Sequence, residues 1–198
     1  MAKVVADMTM SLDGFIADPA DGVDELFGWY GNGDVEVPTA DPERWTFKVS
    51  EASARHLRPL FSGAVGALVC GRRIFDLTQG WGGHHPVGAP VFVVSHSVPD
   101  GWPRDDSPTT FHTDAIEALD AAKATAGDKI VAVATPTLTQ QYLDAGLLDE
   151  IVVSLVPVLL GKGIPFFANL ATAPVRLDDP TVIEGKRVTH LTYRVQKP

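Results

Sequence analysis

The run V-G-A-L-V-C-G-R-R-I-F, from Val65 to Phe75, constrains this chain more than any other stretch. An apolar, β-favouring segment stops at Gly71, and Arg72 and Arg73 then open a helical pattern. Buried strand, glycine and helix start is the order by which α/β proteins place an anionic ligand, since a helix N-terminus offers free N–H groups and partial positive charge. Two arginines add full charges and planar donors suited to phosphate. The plainer reading is a glycine that ends a strand, followed by two solvated arginines.

Composition narrows the partners. The 198 residues are 45% hydrophobic and 21% charged, which suits one globular domain with a sizeable core. A net charge of -9 leaves no basic field for a nucleic acid, whereas a local arginine pair still suits a small phosphorylated ligand. The single cysteine, Cys70, sits in an apolar strand pattern as a small buried hydrophobe. No intrachain disulfide can form, no signal-peptide core is visible at the start, and no apolar run approaches the ~20 residues of a membrane helix. Cytoplasm is the default expectation.

Taken in order, Lys3–Thr9 reads as a first strand, and Asp13-Gly14 is a turn pair just beyond it. Asp13 at a strand outlet suits substrate contact or proton transfer, or simply makes the turn. Residues 18–42 are rich in Gly, Pro and Asp and carry Phe27, Trp29 and Tyr30; they read as a ligand cover or a subunit contact. Residues 45–61 read as an amphipathic helix disturbed by Pro59. After the arginine helix comes Q-G-W-G-G-H-H-P, whose adjacent His84 and His85 lack a second cluster at a metal spacing, so no metal site is expected. The strand Ala89–Val94 empties into Ser95-His96-Ser97, a place for a ribose phosphate or for serines capping a turn. Thr109–His112 reads as a strand, and Thr113 or Asp114 caps a helix that Gly127 stops. Lys129–Ala134 is a strand, Pro136 starts a helix, and Ile151–Leu160 is an apolar strand that belongs inside the sheet. G-K-G-I-P-F-F at 161–167 lacks both the dinucleotide fingerprint and the phosphate-loop Ser or Thr. A hairpin around Glu184-Gly185-Lys186 ends the chain.

Four of these places, M-S-L-D-G-F-I-A, G-R-R-I-F, Q-Q-Y-L-D-A-G-L-L-D-E-I and V-P-V-L-L-G-K-G-I-P-F-F, resemble the dihydrofolate reductase superfamily. The likeness is to its branch related to the reductase half of bacterial riboflavin-biosynthesis deaminase-reductases. It implies a single three-layer α/β/α domain over 1–198, with a mixed, mostly parallel sheet and a C-terminal antiparallel hairpin. It further implies an NADPH-dependent oxidoreductase acting on a small nitrogen heterocycle, either pterin-like or like 5-amino-6-(5-phosphoribosylamino)uracil. The resemblance puts Gly71, Arg72, Arg73, Ser95, His96, Ala134, Thr135, Thr137 and Leu138 at the cofactor. It puts Ser11, Phe15 and Trp81 at the substrate, and leaves Asp13 or a water as the proton source.

One departure bears on all of this. Ala134-Thr135 stand where the family pattern has two glycines, and a Cβ at each can take space that a nicotinamide or pyrophosphate needs. The alternative is therefore a binding protein that keeps the fold and has lost the cofactor site. A hydrolase is not supported, because no G-x-S-x-G elbow is present. The terminal hairpin and the aromatic stretch offer an edge and a patch for a homodimer.

Overall fold

The computed structural model describes residues 2–197. Its centre is an eight-stranded sheet. In chain order its strands are β1 (Lys3–Ser11), β5 (Val65–Gly71), β6 (Val91–Val94), β7 (Thr109–His112), β8 (Ile130–Val133), β9 (Glu150–Val156), β11 (Thr181–Gly185) and β12 (Val188–Arg194). In space they run β11-β12-β9-β1-β8-β5-β6-β7. All contacts from β9 through β7 are parallel, and the β9–β12 and β12–β11 contacts are antiparallel. Two short pairs stand outside it: β2 (Phe15–Ala17) with β10 (Ile164–Pro165), and β3 (Val35–Pro38) with β4 (Thr46–Val49). The helices are α1 (Asp24–Phe27), α2 (Glu51–Pro59), α3 (Arg72–Leu77), α4 (Ala115–Ala126) and α5 (Pro136–Asp144).

Strand alternation sorts the core into layers. Val4 and Ala6 of β1, Ala67 and Val69 of β5, and Val131 and Val133 of β8 face α4 and α5, where Leu119, Ala122, Leu138 and Tyr142 meet them. Helix α4 starts at Asp114, whose carboxylate accepts from the N–H groups of Ile116 and Glu117, both at 2.9 Å. It stops at Gly127, which has φ +66°. Leu68 and Cys70 point the other way, toward Phe75 and Trp81. At the far end of that same side, Val156 and Val188 pack under α1 and α2. The sheet is thus covered on both faces, as a mostly parallel sheet requires.

Two stretches differ from the sequence reading. Residues 45–61 are not one helix: Thr46–Val49 form β4, and Ser50 then caps α2, its hydroxyl accepting from Ser53 N at 3.3 Å. The β-branched and aromatic residues before Ser50 favour an extended chain, and the cap is where the helix begins. Residues 18–42 are not simply a cover. They contain α1, a tight turn at 28–31 and β3. Trp29 is buried, and Tyr30 stacks between Trp29 at 4.0 Å and Phe47 at 4.5 Å, so these rings build the second core. The β9 strand ends at Val156, before Pro157, and lies inside the sheet as expected. Among the described residues no helix is long and apolar enough to cross a membrane.

Candidate active site

The sheet opens between β1 and β8. Their ladder ends at Ala6 and Val133, whereas β1 continues to Ser11 paired only with β9. On the opposite side of β8 the sheet stays closed one residue further, because Ala134 N donates to Val69 O at 3.1 Å. A gap therefore begins between Asp7 and Ala134, at the carboxyl ends of parallel strands. Ligands of open α/β sheets sit in such crevices.

The floor of the gap is unstrained. Thr135 is extended, with φ −153° and ψ 145°, and neither it nor Ala134 is in the left-handed region. Its side chain packs toward Gly71 of β5: a Cβ built on Gly71 would stand in ordinary van der Waals contact, 3.5 Å from Thr135 Cγ2 and 3.6 Å from Oγ1. Buried Thr135 Oγ1 has no hydrogen-bond partner, the one such side-chain atom found among the described residues. The N–H groups of Thr137 and Leu138 open the first turn of α5 behind Pro136, where no intrahelical carbonyl reaches them. Leu138 turns its side chain into the core, and Thr137 is exposed.

At the next outlets, Arg72 Nε donates to both Asp76 carboxylate oxygens, at 2.7 and 2.8 Å, and its Nη1 donates to Ser97 O at 3.1 Å. Arg72 and the β6 outlet are thereby tied together. Ser95 Oγ donates to Ser97 O at 2.6 Å, and His96 is exposed. Arg73 is 68% exposed and pairs with Asp21. Both arginines expected at a phosphate are already ion-paired within the chain.

Ser11, Asp13 and Phe15 come together at the β1 outlet, where the Asp13 carboxylate ties down the turn, the plainer of its two readings from sequence. Its carboxylate accepts from Ser11 Oγ at 2.6 Å, Leu160 N at 3.1 Å and Gly161 N at 2.7 Å. These bonds, the Ser11 hydroxyl foremost, hold the Asp13 carboxyl below the usual carboxylate range, so it stays ionised and has no proton to give. Trp81 does not join this group. It is buried on the β5–β6 side against Phe75, at a left-handed turn, and His85 packs on its ring at 4.5 Å.

The group that sequence reasoning missed lies on the face of β1 opposite Ala6. Register aligns Thr9 with Ser154 of β9, and Ser154 with His190 of β12. The buried His190 ring is hydrogen-bonded through Nδ1 to Ser154 Oγ at 2.9 Å and through Nε2 to Ser53 Oγ at 3.0 Å, and His56 stacks on it at 4.1 Å. Burial pushes His56 down to about 4 and, with the His56 charge adding, His190 down to about 3. Asp7 sits at the gap end of this face, and burial pushes its carboxyl up to about 7. Burial and then the Asp7 charge push the Tyr30 phenol up. An acid amid the apolar K-V-V-A-D-M-T-M was the available signal.

The fold has known counterparts. A family model described as the RibD C-terminal domain matches residues 2–186. A Shewanella sp. PV-4 crystal structure, of a protein assigned to riboflavin biosynthesis, superposes with TM-score 0.67 at 26% identity, covering 100% of both chains. Dihydrofolate reductase from Enterococcus faecalis, solved with NADP(H), superposes with TM-score 0.59 at 11% identity over 98% of this chain and 97% of that one. YwjB, an uncharacterized protein of Bacillus subtilis strain 168, is 26% identical over 176 residues, covering 85% of this chain and 84% of the relative.

Proposed function

Since the chain belongs to the RibD C-terminal domain family, a reductase domain of riboflavin biosynthesis, we propose that it is a reductase using a nicotinamide nucleotide, NADPH in preference to NADH, on a small nitrogen heterocycle. The observation that carries this reading is the gap that opens beside Ala134 at the carboxyl end of β8, with the buried, unpartnered Thr135 hydroxyl next in the chain, toward Gly71. The chemistry a reduced nicotinamide would bring to this gap, where the Thr137 and Leu138 amides would hold it, is a hydride for the substrate ring or for an imine on it.

The chain's own residues suit such a ligand. The Thr137 and Leu138 amides and the α5 dipole fit a pyrophosphate, and Thr135 Oγ1 gains the partner it lacks. Gly71 adds no side chain beside Thr135, and Thr135 itself is extended and unstrained, so the Cβ atoms of Ala134 and Thr135 stand at the strand outlet without distorting it. Ser95, His96 and Arg72 lie where an adenosine phosphate would end, and Arg73 can reach it once Asp21 lets go. Ser11 and Phe15 border the substrate side. Beside these groups, the packed Trp29–Tyr30 layer keeps water from the inner end of the cleft.

Titration of the purified protein with NADPH and with NADH, followed by cofactor fluorescence and by heat, tests the reading. Binding of NADPH in preference to NADH supports it. Binding of neither at concentrations well above ordinary cofactor levels overturns it in favour of a heterocycle-binding protein. We further propose a homodimer formed through the β11 edge, where Val182 is 50% exposed. A sedimentation mass near one chain's 21.2 kDa rejects that.

A further inference from the structure

Among the carboxylates of this chain, several are spoken for. Asp13, Asp18, Asp21, Asp76, Asp106, Asp114, Asp144 and Asp149 each accept hydrogen bonds from backbone or side-chain donors. The Asp7 carboxyl has no hydrogen bond and no ion pair among the described residues, although the residue is half-buried in the central strand. An acid placed there costs folding energy that a valine would not, which marks it as a candidate for contact with a ligand.

Its position defines which ligand. Asp7 is the first residue of β1 beyond the last β8 pairing, so one side of it faces the gap, and β9 closes the other side through Val152. Ala134, across the gap, projects to the same face as Asp7, because Val5 and Ala132 are register partners one step earlier. A flat ring entering the gap beside Ala134 therefore meets the Asp7 carboxyl at its edge. The geometry points to Asp7 as the catalytic acid of the proposed reductase, the group that delivers a proton to the substrate nitrogen as hydride arrives at the adjoining carbon.

This rests on the reductase reading above, and the step balances. The C=N bond of the substrate gains a hydride from the reduced nicotinamide on carbon and the Asp7 carboxyl proton on nitrogen. The nicotinamide leaves oxidised, the substrate leaves as the amine, and the Asp7 carboxylate recovers its proton from solvent. A carboxyl raised to about 7 still holds that proton near neutrality and gives it up readily, the match that general acid catalysis needs. The ionisable groups sharing its face leave it in that state. Tyr30 is neutral and beside it, and His56 and His190 stay uncharged. Glu150, one step down the strands, is neutralised by Lys3 at 2.9 Å and Arg194 at 3.8 Å.

Two measurements on the full chain test this. Carbon-13 NMR of labelled aspartate carboxyls, from pH 3 to 9, should show one resonance with a midpoint near 7 that is missing in both Asp7→Asn and Asp7→Ser. Single-turnover oxidation of bound NADPH with 5-amino-6-(5-phosphoribosylamino)uracil as probe should slow as pH rises through that midpoint. Asp7→Asn should slow it by about 100-fold or more while leaving NADPH affinity unchanged. A resonance titrating near 4, or a variant as fast as the parent, overturns the assignment and leaves the reductase standing. Failure of the parent to bind NADPH overturns the reductase, and the assignment with it. If the parent binds NADPH and does not reduce the probe, the carboxyl midpoint alone decides.

Discussion

Arg73 grips the Asp21 carboxylate in a two-pronged pair, Nε to Oδ1 at 2.9 Å and Nη2 to Oδ2 at 2.7 Å. The partners are far apart in sequence and sit on opposite banks of the cleft. Asp21 follows β2 at the β1 outlet, Arg73 lies in the first turn of α3 at the β5 outlet, and β8 with Thr135 lies between those two strands in the sheet. The pair thus spans the crevice, and any phosphate that uses Arg73 must compete with Asp21. Asp21→Asn should therefore tighten NADPH binding by about three- to tenfold at low salt, with the gain shrinking as salt rises. Calorimetric titration at two ionic strengths checks this; no change at low salt would show that Arg73 takes no part.

The unpartnered Thr135 hydroxyl separates stability from binding. A buried oxygen with no donor or acceptor carries a desolvation cost of about 1–3 kcal/mol. Thr135→Val keeps the shape and removes that cost, so the free protein should melt at the same temperature or higher. NADPH affinity should fall, by roughly tenfold for one lost hydrogen bond. Thermal melts with and without NADPH read both effects. A variant that melts lower and binds NADPH normally would make Thr135 a structural residue only.

How much of this could be read from the chain depends on what each feature needs. The strands at Val65–Gly71 and Ile130–Val133 and the helix capped by Asp114 declare themselves through local period and capping chemistry. Trp29 and Tyr30 do not. Whether aromatic residues cover a ligand or fill a core is decided by partners as distant as Val156 and Val188, which local pattern does not reveal. Asp13 caught the eye through its turn dipeptide, and its real partners, the amides of Leu160 and Gly161, lie far along the chain. Asp7 was hidden for a related reason: its significance comes from the β1–β8 ladder stopping at Ala6, a property of two strands together.

Acid should destabilise the protein well before ordinary carboxylates titrate. His56 and His85 are pushed down to about 4 and His190 to about 3 by burial, against 6.5 when unfolded. Between pH 6.5 and 4 the unfolded chain takes up protons that the folded one refuses, so stability is full above 6.5 and falls as pH falls. Asp7 acts oppositely, because its raised carboxyl binds a proton on folding between about 7 and 3.8 and so favours the fold as pH falls. Three histidines outweigh one aspartate, and the melting temperature should drop by about 5 °C or more from pH 7 to 4.5. Asp7→Asn should steepen that drop, and His190→Gln should make it shallower. A flat profile would mean these rings are protonated in place.

Asp13 offers the cleanest separation of scaffold from chemistry. Its carboxylate ties the turn after β1 to the 160–161 backbone, and Ser11, which donates to it, also accepts from Phe15 N at 2.9 Å. Asp13→Asn keeps the size but weakens two charge-assisted bonds from main-chain amides, and the amide nitrogen must turn away from both. The expected result is a lower melting temperature, with faster amide exchange at Leu160 and Gly161 than at the β9 core. The pH dependence of hydride transfer should keep its midpoint near 7, because the ionised Asp13 holds no proton to lose in that range. A variant whose melting is unchanged and whose pH profile is flattened would return the acid role to Asp13.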